Sequence, residues 1–413
     1  MALDSYITAP RVNALLLLLC ALGLASPLVE AVPGNATGVF WLSRAAGVTL
    51  ALAAVVWPRC ARQAMIGVAF FLVVEPCVLQ VWMRQYTGPG TFCHDSVPQF
   101  EEAIRMLRRG ENPYAADFRG SALEAWRGGE FKGNPALDHF VYPPFLLLLS
   151  VPFEAAFRWA GAYDQRVVVL LFFLAHFNLL AKRLREHPNA VGIVSLAALN
   201  PWFAGFVVEG RNDAAMLFWA AAAWPMFDAG FRRLGYLFLG LALATKTLLL
   251  PIVPFALLAE RKDRGLAAAL LLLPALLTCL PFLAADAPAF LEDVVGAPAG
   301  WGKSPFEMRG WGGFGFANVV LAAGLVESPR SPFPFWIFQL GALLPVLWRG
   351  ARSLREDGSL SNVLLWTAAA AFVLLFFGRF IHDNYIGALL ALAALAHAAR
   401  GSFGLEVSPP RDV

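Results

Sequence analysis

Long runs of apolar residues, each close to the length of a membrane-crossing helix, alternate along the chain with shorter polar connections. The runs are continuous, whereas strands of a membrane barrel alternate apolar and polar positions, so each run is predicted to be a helix. The predicted spans are residues 13–32, 40–57, 64–83, 141–157, 166–183, 190–208, 213–231, 235–259, 265–285, 332–349, 361–378 and 384–399. The pattern therefore predicts an all-α polytopic membrane protein. A cleavable signal peptide is an alternative interpretation of the first run.

The composition supports this class. Of the 413 residues, 59% are hydrophobic and 15% are charged, which is more apolar surface than a soluble domain of this size can bury. The formal net charge of +3 is too small to indicate a nucleic-acid partner. The five cysteines lie mostly in or beside apolar runs and indicate no disulfide framework.

Lysine and arginine are concentrated at one set of span ends, and this bias predicts that those ends face the cytoplasm. The basic residues lie at 59–62, 182–185, 232–233, 261–264, 349–355 and 400. This orientation places two long connections, residues 84–140 and 286–331, on the outer face. We expect one transmembrane domain over residues 1–413, with the first of these connections carrying the catalytic groups.

Two segments cannot be explained by complete membrane-spanning helices alone. Between the first outer connection and the basic residues at 182–185 the chain needs an odd number of crossings, yet two apolar runs occur there. Residues 141–157, with Pro152 inside, are therefore predicted to be a re-entrant or in-plane piece broken at the proline. Both flanks of 234–260 are basic, so we expect two half-length helices that meet near Lys246 and line a cavity. A single span with a misassigned flank is the alternative.

The first outer connection contains a predicted amphipathic helix. Ser96 is a plausible N-cap, and Gln99 occupies the capping-box position three residues later. The apolar residues that share one face are Phe100, Ala103, Ile104 and Leu107. We expect this helix to lie in the membrane surface with that face toward the lipid. Asp95 precedes the helix, where backbone donors favour an ionised carboxylate.

Polar and ionisable residues also gather at other outer span ends. They are residues 209–213 at the mouth of one span, Lys246 at the tip of the half-helix pair, and residues 379–385 between the last two spans. Ionisable side chains at membrane depth are costly and by default indicate a functional site. A solvated turn or a structural ion pair explains each group alone equally well, but their shared side of the membrane favours one common site.

Several stretches carry a resemblance to a known family. They are LRRGENPY after the outer-face aspartate, VYPPFLLLLSVPF, GRND at the start of a span, GLALATKTLLLPIVPFALLAERK, and FIHDNYIGALLAL near the end. In their order and spacing they resemble the polyprenyl-phosphate-sugar-dependent glycosyltransferases of the C type, in particular glycosyltransferase family 87, which includes bacterial mannosyltransferases. The resemblance covers about residues 64–400. Relatives often have Gly-Gln where this chain has Gly210-Arg211, which leaves the substrate contacts there open.

The resemblance implies a GT-C-like bundle of roughly 11–13 transmembrane or half-length helices. It implies transfer of a hexose, mannose in this family, from a polyprenyl-phosphate donor to a lipid-linked or polysaccharide acceptor. The site would lie on the extracytoplasmic side of a bacterial cytoplasmic membrane. The aspartate in the family's outer loop acts as a general base, and Asp95 is the matching position.

The chemistry of the residues agrees with this reaction. A carboxylate beside the acceptor hydroxyl can take its proton, and a single base favours an inverting displacement. Negative charge grows on the departing lipid phosphate, and cations or hydrogen-bond donors stabilise it. The predicted phosphate-binding residues are Lys246, Arg211, Arg379 and His382, and the predicted substrate contacts are His94, Asn212, Asp213, Asp383, Asn384, Tyr385 and Tyr142.

No compact metal-binding motif occurs, and no cofactor is expected. The His-Asp pairs at 94–95 and 382–383 leave a divalent ion as an alternative, although hard cations usually gather more oxygen ligands. In the second outer connection, the glycine-rich stretch 310–318 is expected to be a loop. Trp301 and Trp311 beside it are available to stack on a sugar or a lipid, or to anchor the chain at the membrane interface.

Two other classes of function stay open at the level of sequence. A lipid or glycan transporter also uses broken helices and charged residues within the membrane, but it predicts internal repeats that this chain does not show. A non-catalytic subunit of an envelope-polysaccharide assembly is the third hypothesis. Such a subunit would tolerate Asp95→Asn, whereas the enzyme would not.

Overall fold

The computed structural model describes residues 10–26, 37–126, 134–159, 163–302, 305–310 and 314–400. Helices dominate it, which confirms the predicted fold class. In chain order they are α1 (Pro10–Ala25), α2 (Thr37–Val56), α3 (Ala61–Ala69), α4 (Glu75–Thr87), α5 (Ser96–Arg108), α6 (Pro144–Arg158), α7 (Arg166–Arg183), α8 (Ala190–Ala198), α9 (Pro201–Glu209), α10 (Asp213–Asp228), α11 (Arg232–Thr245), α12 (Ile252–Ala259), α13 (Arg264–Leu291), α14 (Ala297–Ala299), α15 (Phe316–Ala322), α16 (Phe335–Glu356), α17 (Leu360–Phe376) and α18 (Asp383–Ala398). Two short strands, β1 (Arg309–Gly310) and β2 (Phe380–Ile381), pair in parallel. The end of the first predicted span, after residue 26, and Trp311 lie outside the described residues.

Three helical stretches of the described chain are long and apolar enough to cross a membrane: Gly38–Val56, Pro58–Thr87 and Arg264–Ala299. The first stretch lies within α2, the second contains α3 and α4, and the third contains α13 and α14. On α13, Leu276, Leu277 and Leu280 are 60–61% exposed, as expected for side chains that face lipid rather than water. The other predicted spans are shorter, broken or charged near their ends.

Helices α8 and α9 form a bent pair where the sequence predicts one span over 190–208. The bend is 48° and falls at Leu199–Asn200, because Pro201 has no N–H with which to continue the preceding helix. The side chain of Asn200 donates to the carbonyls of Leu196 at 2.8 Å and Gly387 at 3.2 Å. With the pair counted as one span, the described chain has a fourth candidate crossing.

The predicted pair of half-length helices is present. Helix α11 ends at Thr245, Lys246 adopts an extended conformation, and α12 begins at Ile252. The ends of the two helices that lie away from Lys246 meet, because Glu260 accepts hydrogen bonds from Arg232 and, at 2.9 Å, from the hydroxyl of Tyr236. The chain therefore returns to the end of the bundle from which it came, with Lys246 at the tip.

Helix α6 contains Pro152 without a break, so the predicted interruption at this proline is wrong. The expectation that this segment does not carry the chain across still agrees with its contacts. At its start the carbonyl of Tyr142 accepts from the hydroxyl of Tyr114 at 2.7 Å, and near its end Glu154 pairs with Arg108 at 3.1 Å. Both ends thus contact the 84–140 connection.

The basic connections lie together at one end of the bundle. Arg183 at the end of α7 pairs with Asp228 at the end of α10. Arg261, after α12, donates to the carbonyl of Arg355 in α16 at 2.6 Å. These contacts gather the lysine- and arginine-rich turns at the ends of the helices opposite to the 84–140 connection.

The apolar face of α5 packs on protein. The sequence predicts contact with lipid, but Phe100, Ala103 and Ile104 are at most 1% exposed and share a core with Phe118 and Phe140. The reason is that residues from 114–126 and 134–140 of the same connection pack against this face, which a single-helix pattern does not reveal. The connection therefore shares one core with α6, α7, α10 and α13, and this core holds α5 in place.

Candidate functional site

A cavity of about 790 Å³ opens at the end of the bundle that carries the 84–140 connection. It lies where the start of α5, the end of α9, the break at Lys246 and the start of α18 converge. The predicted site residues that line it are His94, Asp95, Tyr142, Arg211, Asn212, Lys246, His382, Asp383, Asn384 and Tyr385. Segments far apart in sequence are thus brought to one place, while the chemical roles of these residues stay predictions.

Asp95 is held at the cavity wall by two neighbours. Its Oδ1 lies 2.8 Å from Nδ1 of His94, and its Oδ2 accepts a hydrogen bond from the side-chain amide of Asn134 at 3.1 Å. Burial opposes ionisation of Asp95, but the charge and hydrogen bond of His94, together with the Asn134 bond, outweigh burial. They hold the pKa of this carboxyl well below its ordinary value, so the group is an ionised acceptor at neutral pH.

The start of α5 differs from the predicted cap. The N-cap position is Asp95, Ser96 is the first helical residue, and no side chain caps the helix. Gln99 does not turn back to close a capping box, because its amide donates to the carbonyls of Ala136 at 2.6 Å and His139 at 2.8 Å. The side chain of Asp95 is therefore left to face the cavity rather than the helix backbone.

Gly210 allows the end of α9 to touch the start of α5. It ends the helix with a φ of +94°, a left-handed conformation that glycine adopts at little cost. A Cβ atom there would lie 2.3 Å from Cγ2 of Val97 and 2.7 Å from Cγ of Arg166. The backbone N–H of His94 donates to the carbonyl of Glu209 at 2.8 Å. The absence of a side chain at 210 thus sets the distance between Asp95 and the mouth of α9.

Arg211 reaches across the cavity to the start of α18. Its Nη1 lies 3.1 Å from Oδ1 of Asp383 and donates to Oδ1 of Asn384 at 2.9 Å, and its Nε lies 3.5 Å from Glu209. Its guanidinium also lies over the ring of Phe206, 3.9 Å from the centroid. The position that departs from the family pattern is therefore occupied by a cation fixed by carboxylates on either side.

Lys246 is paired with an acid behind the cavity wall. Its ammonium group donates to Oδ1 of Asp213, whose other oxygen accepts from the side-chain amide of Asn384 at 2.8 Å. The ammonium also lies 4.9 Å from the ring centroid of Tyr385, within cation–π range. Lys246 lines the cavity, whereas Asp213 supports it from behind.

His382 lines the cavity as a neutral ring. Burial lowers its pKa to about 3, and the nearby charge of Arg211 acts in the same direction. At neutral pH the imidazole therefore supplies a hydrogen bond rather than the positive charge that a phosphate-binding histidine would add. Its ring lies 5.8 Å from that of Tyr385.

Arg379 does not reach the cavity, which corrects its prediction as a phosphate-binding residue. It is 4% exposed, and its guanidinium donates to the carbonyls of Phe306, Pro329 and Ser331. Because a guanidinium has a fixed set of five N–H donors, three contacts in different directions hold it in place. Arg379 thus fastens the second outer connection to the start of β2.

The structure adds site residues that sequence reasoning missed. Asn134 contacts Asp95 directly, and the indole of Trp126 donates to the carbonyl of Cys93 at 2.8 Å. Arg309 also lines the cavity. No local pattern marks these positions, because they reach the cavity only through the folding of the two outer connections.

A buried charge network lies beneath the first outer connection. Arg84 contacts Glu101 at 2.7 Å and Asp164 at 2.8 Å, and Asp164 contacts Arg166 at 2.8 Å. Arg166 also donates to the carbonyl of Phe92 at 2.7 Å. Such paired charges join α4, α5 and α7, and removal of one partner would leave another uncompensated.

Within the residues that the structure describes, no group of three or more His, Cys, Asp or Glu side chains is arranged to hold a metal ion. The His94–Asp95 and His382–Asp383 pairs line the same cavity, but each contributes contacts to its own neighbours. The carboxylates of Asp95, Glu209 and Asp383 and the cations Arg211, Lys246 and Arg309 are among the residues that line the cavity.

Helices and cavity together define a polytopic membrane protein with a polar site at one end of its helical bundle. Residues 140–311 match the family model of glycosyltransferase family 87. The match confirms the predicted resemblance over this segment, which is less than half of the chain. The matched segment contains Tyr142, Arg211 and Lys246, whereas Asp95 and His382 lie outside it. No curated protein and no solved structure matches the chain.

Proposed function

We propose that this protein is a glycosyltransferase that moves a hexose, mannose by family resemblance, from a polyprenyl-phosphate donor to a lipid-linked or envelope-glycan hydroxyl. The observation that carries the proposal is the placement of Asp95, Arg211 and Lys246 around one cavity. A general base and cations within one cavity are what a displacement with a phosphate leaving group requires. The identities of the sugar, the donor and the acceptor are inferred from this chemistry and from the family resemblance.

In the proposed reaction, Asp95 is the general base. The acceptor oxygen forms a bond to the anomeric carbon, the bond from that carbon to the phosphate oxygen breaks, and the lipid phosphate leaves with the electron pair. The hydroxyl becomes strongly acidic as its oxygen bonds to carbon, so a carboxylate of low pKa is basic enough to take the proton. One base on the face opposite to the leaving group gives inversion.

The cavity also offers contacts for the sugar. The side-chain nitrogen of Asn212 is buried and, within the described residues, has no hydrogen-bond partner, although the residue lines the cavity. A buried donor without a partner is costly, and a sugar hydroxyl would satisfy it. Asp383, Tyr385 and Tyr142 line the same space.

We infer the side of the membrane from charge. The lysine- and arginine-rich turns lie at the end opposite to the cavity, and such turns favour the cytoplasmic face. The cavity would then open on the extracytoplasmic side of a bacterial cytoplasmic membrane. Nucleotide sugars are generally absent there, so a lipid-borne donor is the consistent choice.

The test uses the purified full-length protein with a panel of polyprenyl-phosphate sugars and a lipid and glycan extract that supplies acceptor hydroxyls, and it follows release of the free lipid phosphate. We expect release with a hexosyl donor and a loss of about 10²-fold or more in Asp95→Asn, because the amide cannot take the proton. Asp117→Asn is the matched control, since Asp117 is an exposed carboxylate of the same connection. Near-normal turnover by Asp95→Asn would remove Asp95 as the base.

The panel also separates the other two functions. A transporter would move the lipid across a vesicle membrane without release of lipid phosphate. A non-catalytic subunit would release nothing with any donor and would be indifferent to Asp95→Asn. Either outcome would refute the proposed transfer.

A further inference from the structure

The cations predicted to bind the donor phosphate are already paired within the protein. Lys246 donates to Asp213, and Arg211 lies 3.1 Å from Asp383 and 3.5 Å from Glu209. An entering phosphate must compete with these carboxylates. The cavity therefore needs another cation if it is to offer positive charge that its own acids do not neutralise.

Arg309 is a cation of this kind. It lines the cavity, and no carboxylate of the described residues forms an ion pair with it. The neighbouring Arg330 also lines the cavity but contacts Glu307 at 3.3 Å. Arg309 lies close enough to His382 for its charge to oppose protonation of that ring.

The backbone around Arg309 is held in position by the segment between α17 and α18. Arg309 pairs with Phe380 and Gly310 with Ile381 in the short parallel ladder, and the N–H of Arg309 donates to the carbonyl of Arg379 at 3.1 Å. The guanidinium of Arg379 then binds three carbonyls of the second outer connection. The side chain at 309 thus projects from a fixed backbone into a solvent-accessible space.

We propose that Arg309 is the direct ligand of the donor phosphate, with Arg379 as the positioning residue that holds its backbone. The inference rests on the proposed function and names the group that recognises its donor. A guanidinium matches a phosphate in bidentate geometry, and it retains its charge throughout the physiological range. Its role is to bind the phosphate in the ground state and to stabilise the charge that grows there as the bond to carbon breaks.

The test measures binding of a short-chain prenyl monophosphate and of the corresponding prenyl alcohol to the full-length protein in detergent. The alcohol lacks only the phosphate, so the ratio of the two affinities isolates the phosphate contact from the lipid contact. We expect Arg309→Gln to weaken the monophosphate about tenfold or more, to leave the alcohol unchanged, and Arg309→Lys to recover part of the loss. Arg119→Gln is the control, since Arg119 is an exposed, ion-paired cation of the first outer connection.

Each other result overturns a different statement. If the wild-type protein binds monophosphate and alcohol equally, the lipid-phosphate donor and the role of Arg309 both fail. If the wild-type protein prefers the monophosphate and Arg309→Gln keeps that preference, only the role of Arg309 fails. Equal loss of both ligands in Arg309→Gln would show that the residue supports the fold instead of the phosphate.

Discussion

Replacement of Gly210 by alanine should displace the start of α5 from the cavity. The new Cβ would lie 2.3 Å from Cγ2 of Val97, whereas carbon atoms pack at about 3.5–4.0 Å. Val97 is fully buried and follows Asp95 by two residues, so the overlap is relieved by a shift on the order of 1 Å at Asp95, the proposed base. A displacement of this size can cost about 10²-fold in turnover.

The same substitution should also destabilise the protein. The left-handed φ of +94° costs a non-glycine residue about 1–2 kcal/mol, and an overpacked buried site costs about 1–3 kcal/mol. Thermal unfolding in detergent, together with turnover of a polyprenyl-phosphate sugar, measures both effects. We expect a lowered melting temperature and a larger loss of turnover than the loss of folded protein explains.

Two glycines separate the causes. Gly230 has a φ of +79° but nothing within 4 Å of its Cβ position, so Gly230→Ala introduces strain without overlap. Gly205, on α9 itself, would place its Cβ at an ordinary 3.8 Å from Leu24, so Gly205→Ala adds a methyl group without either penalty. If Gly210→Ala keeps the turnover of Gly230→Ala, the contact between residues 210 and 97 does not position the base.

Two further predictions concern charge. His94→Gln removes the neighbour that lowers the pKa of Asp95, so that pKa should rise and the acid limb of the pH–rate profile should move to higher pH. His187→Gln, which is remote from the cavity, is the control and should leave the acid limb in place. An unmoved acid limb in His94→Gln would contradict the assignment of this limb to Asp95. Glu260→Gln should destabilise the α11–α12 hairpin by about 1–3 kcal/mol, because a buried acceptor of several hydrogen bonds loses its charge, and thermal unfolding should show the loss. Glu356→Gln, at 75% exposure, should change stability little; equal shifts in the two variants would refute the role of Glu260.

The break at Lys246 could be predicted from sequence because its signal is local. Basic residues on both flanks of 234–260 require the chain to return to its starting side, and the segment is too short for two crossings. The bend at Asn200 carried a local signal as well, since Pro201 removes one helical donor. Proline is an ambiguous sign, however, because Pro152 lies within an unbroken helix.

The details of the site depend on contacts between distant segments. Asp95 and residues 209–213 could be grouped from their predicted side of the membrane, but Asn134 and Arg309 reach the cavity only because the outer connections fold over it. The side chain of Arg379 illustrates the opposite case. Its charge and position suggested the cavity, yet nearby backbone carbonyls bind it, and such acceptors cannot be identified from a sequence pattern.

The internal pairing of Lys246 with Asp213 and of Arg211 with Asp383 has a consequence for the end of the catalytic cycle. In the proposed reaction, a departing lipid phosphate would leave Lys246 and Arg211 in the ion pairs that they already form within the protein, so its departure exposes no bare charge at these two residues. The resident carboxylates Asp213 and Asp383 would therefore compete with the phosphate of the proposed product for these two cations. If the proposed function is correct, this pairing favours release of the product over strong product inhibition.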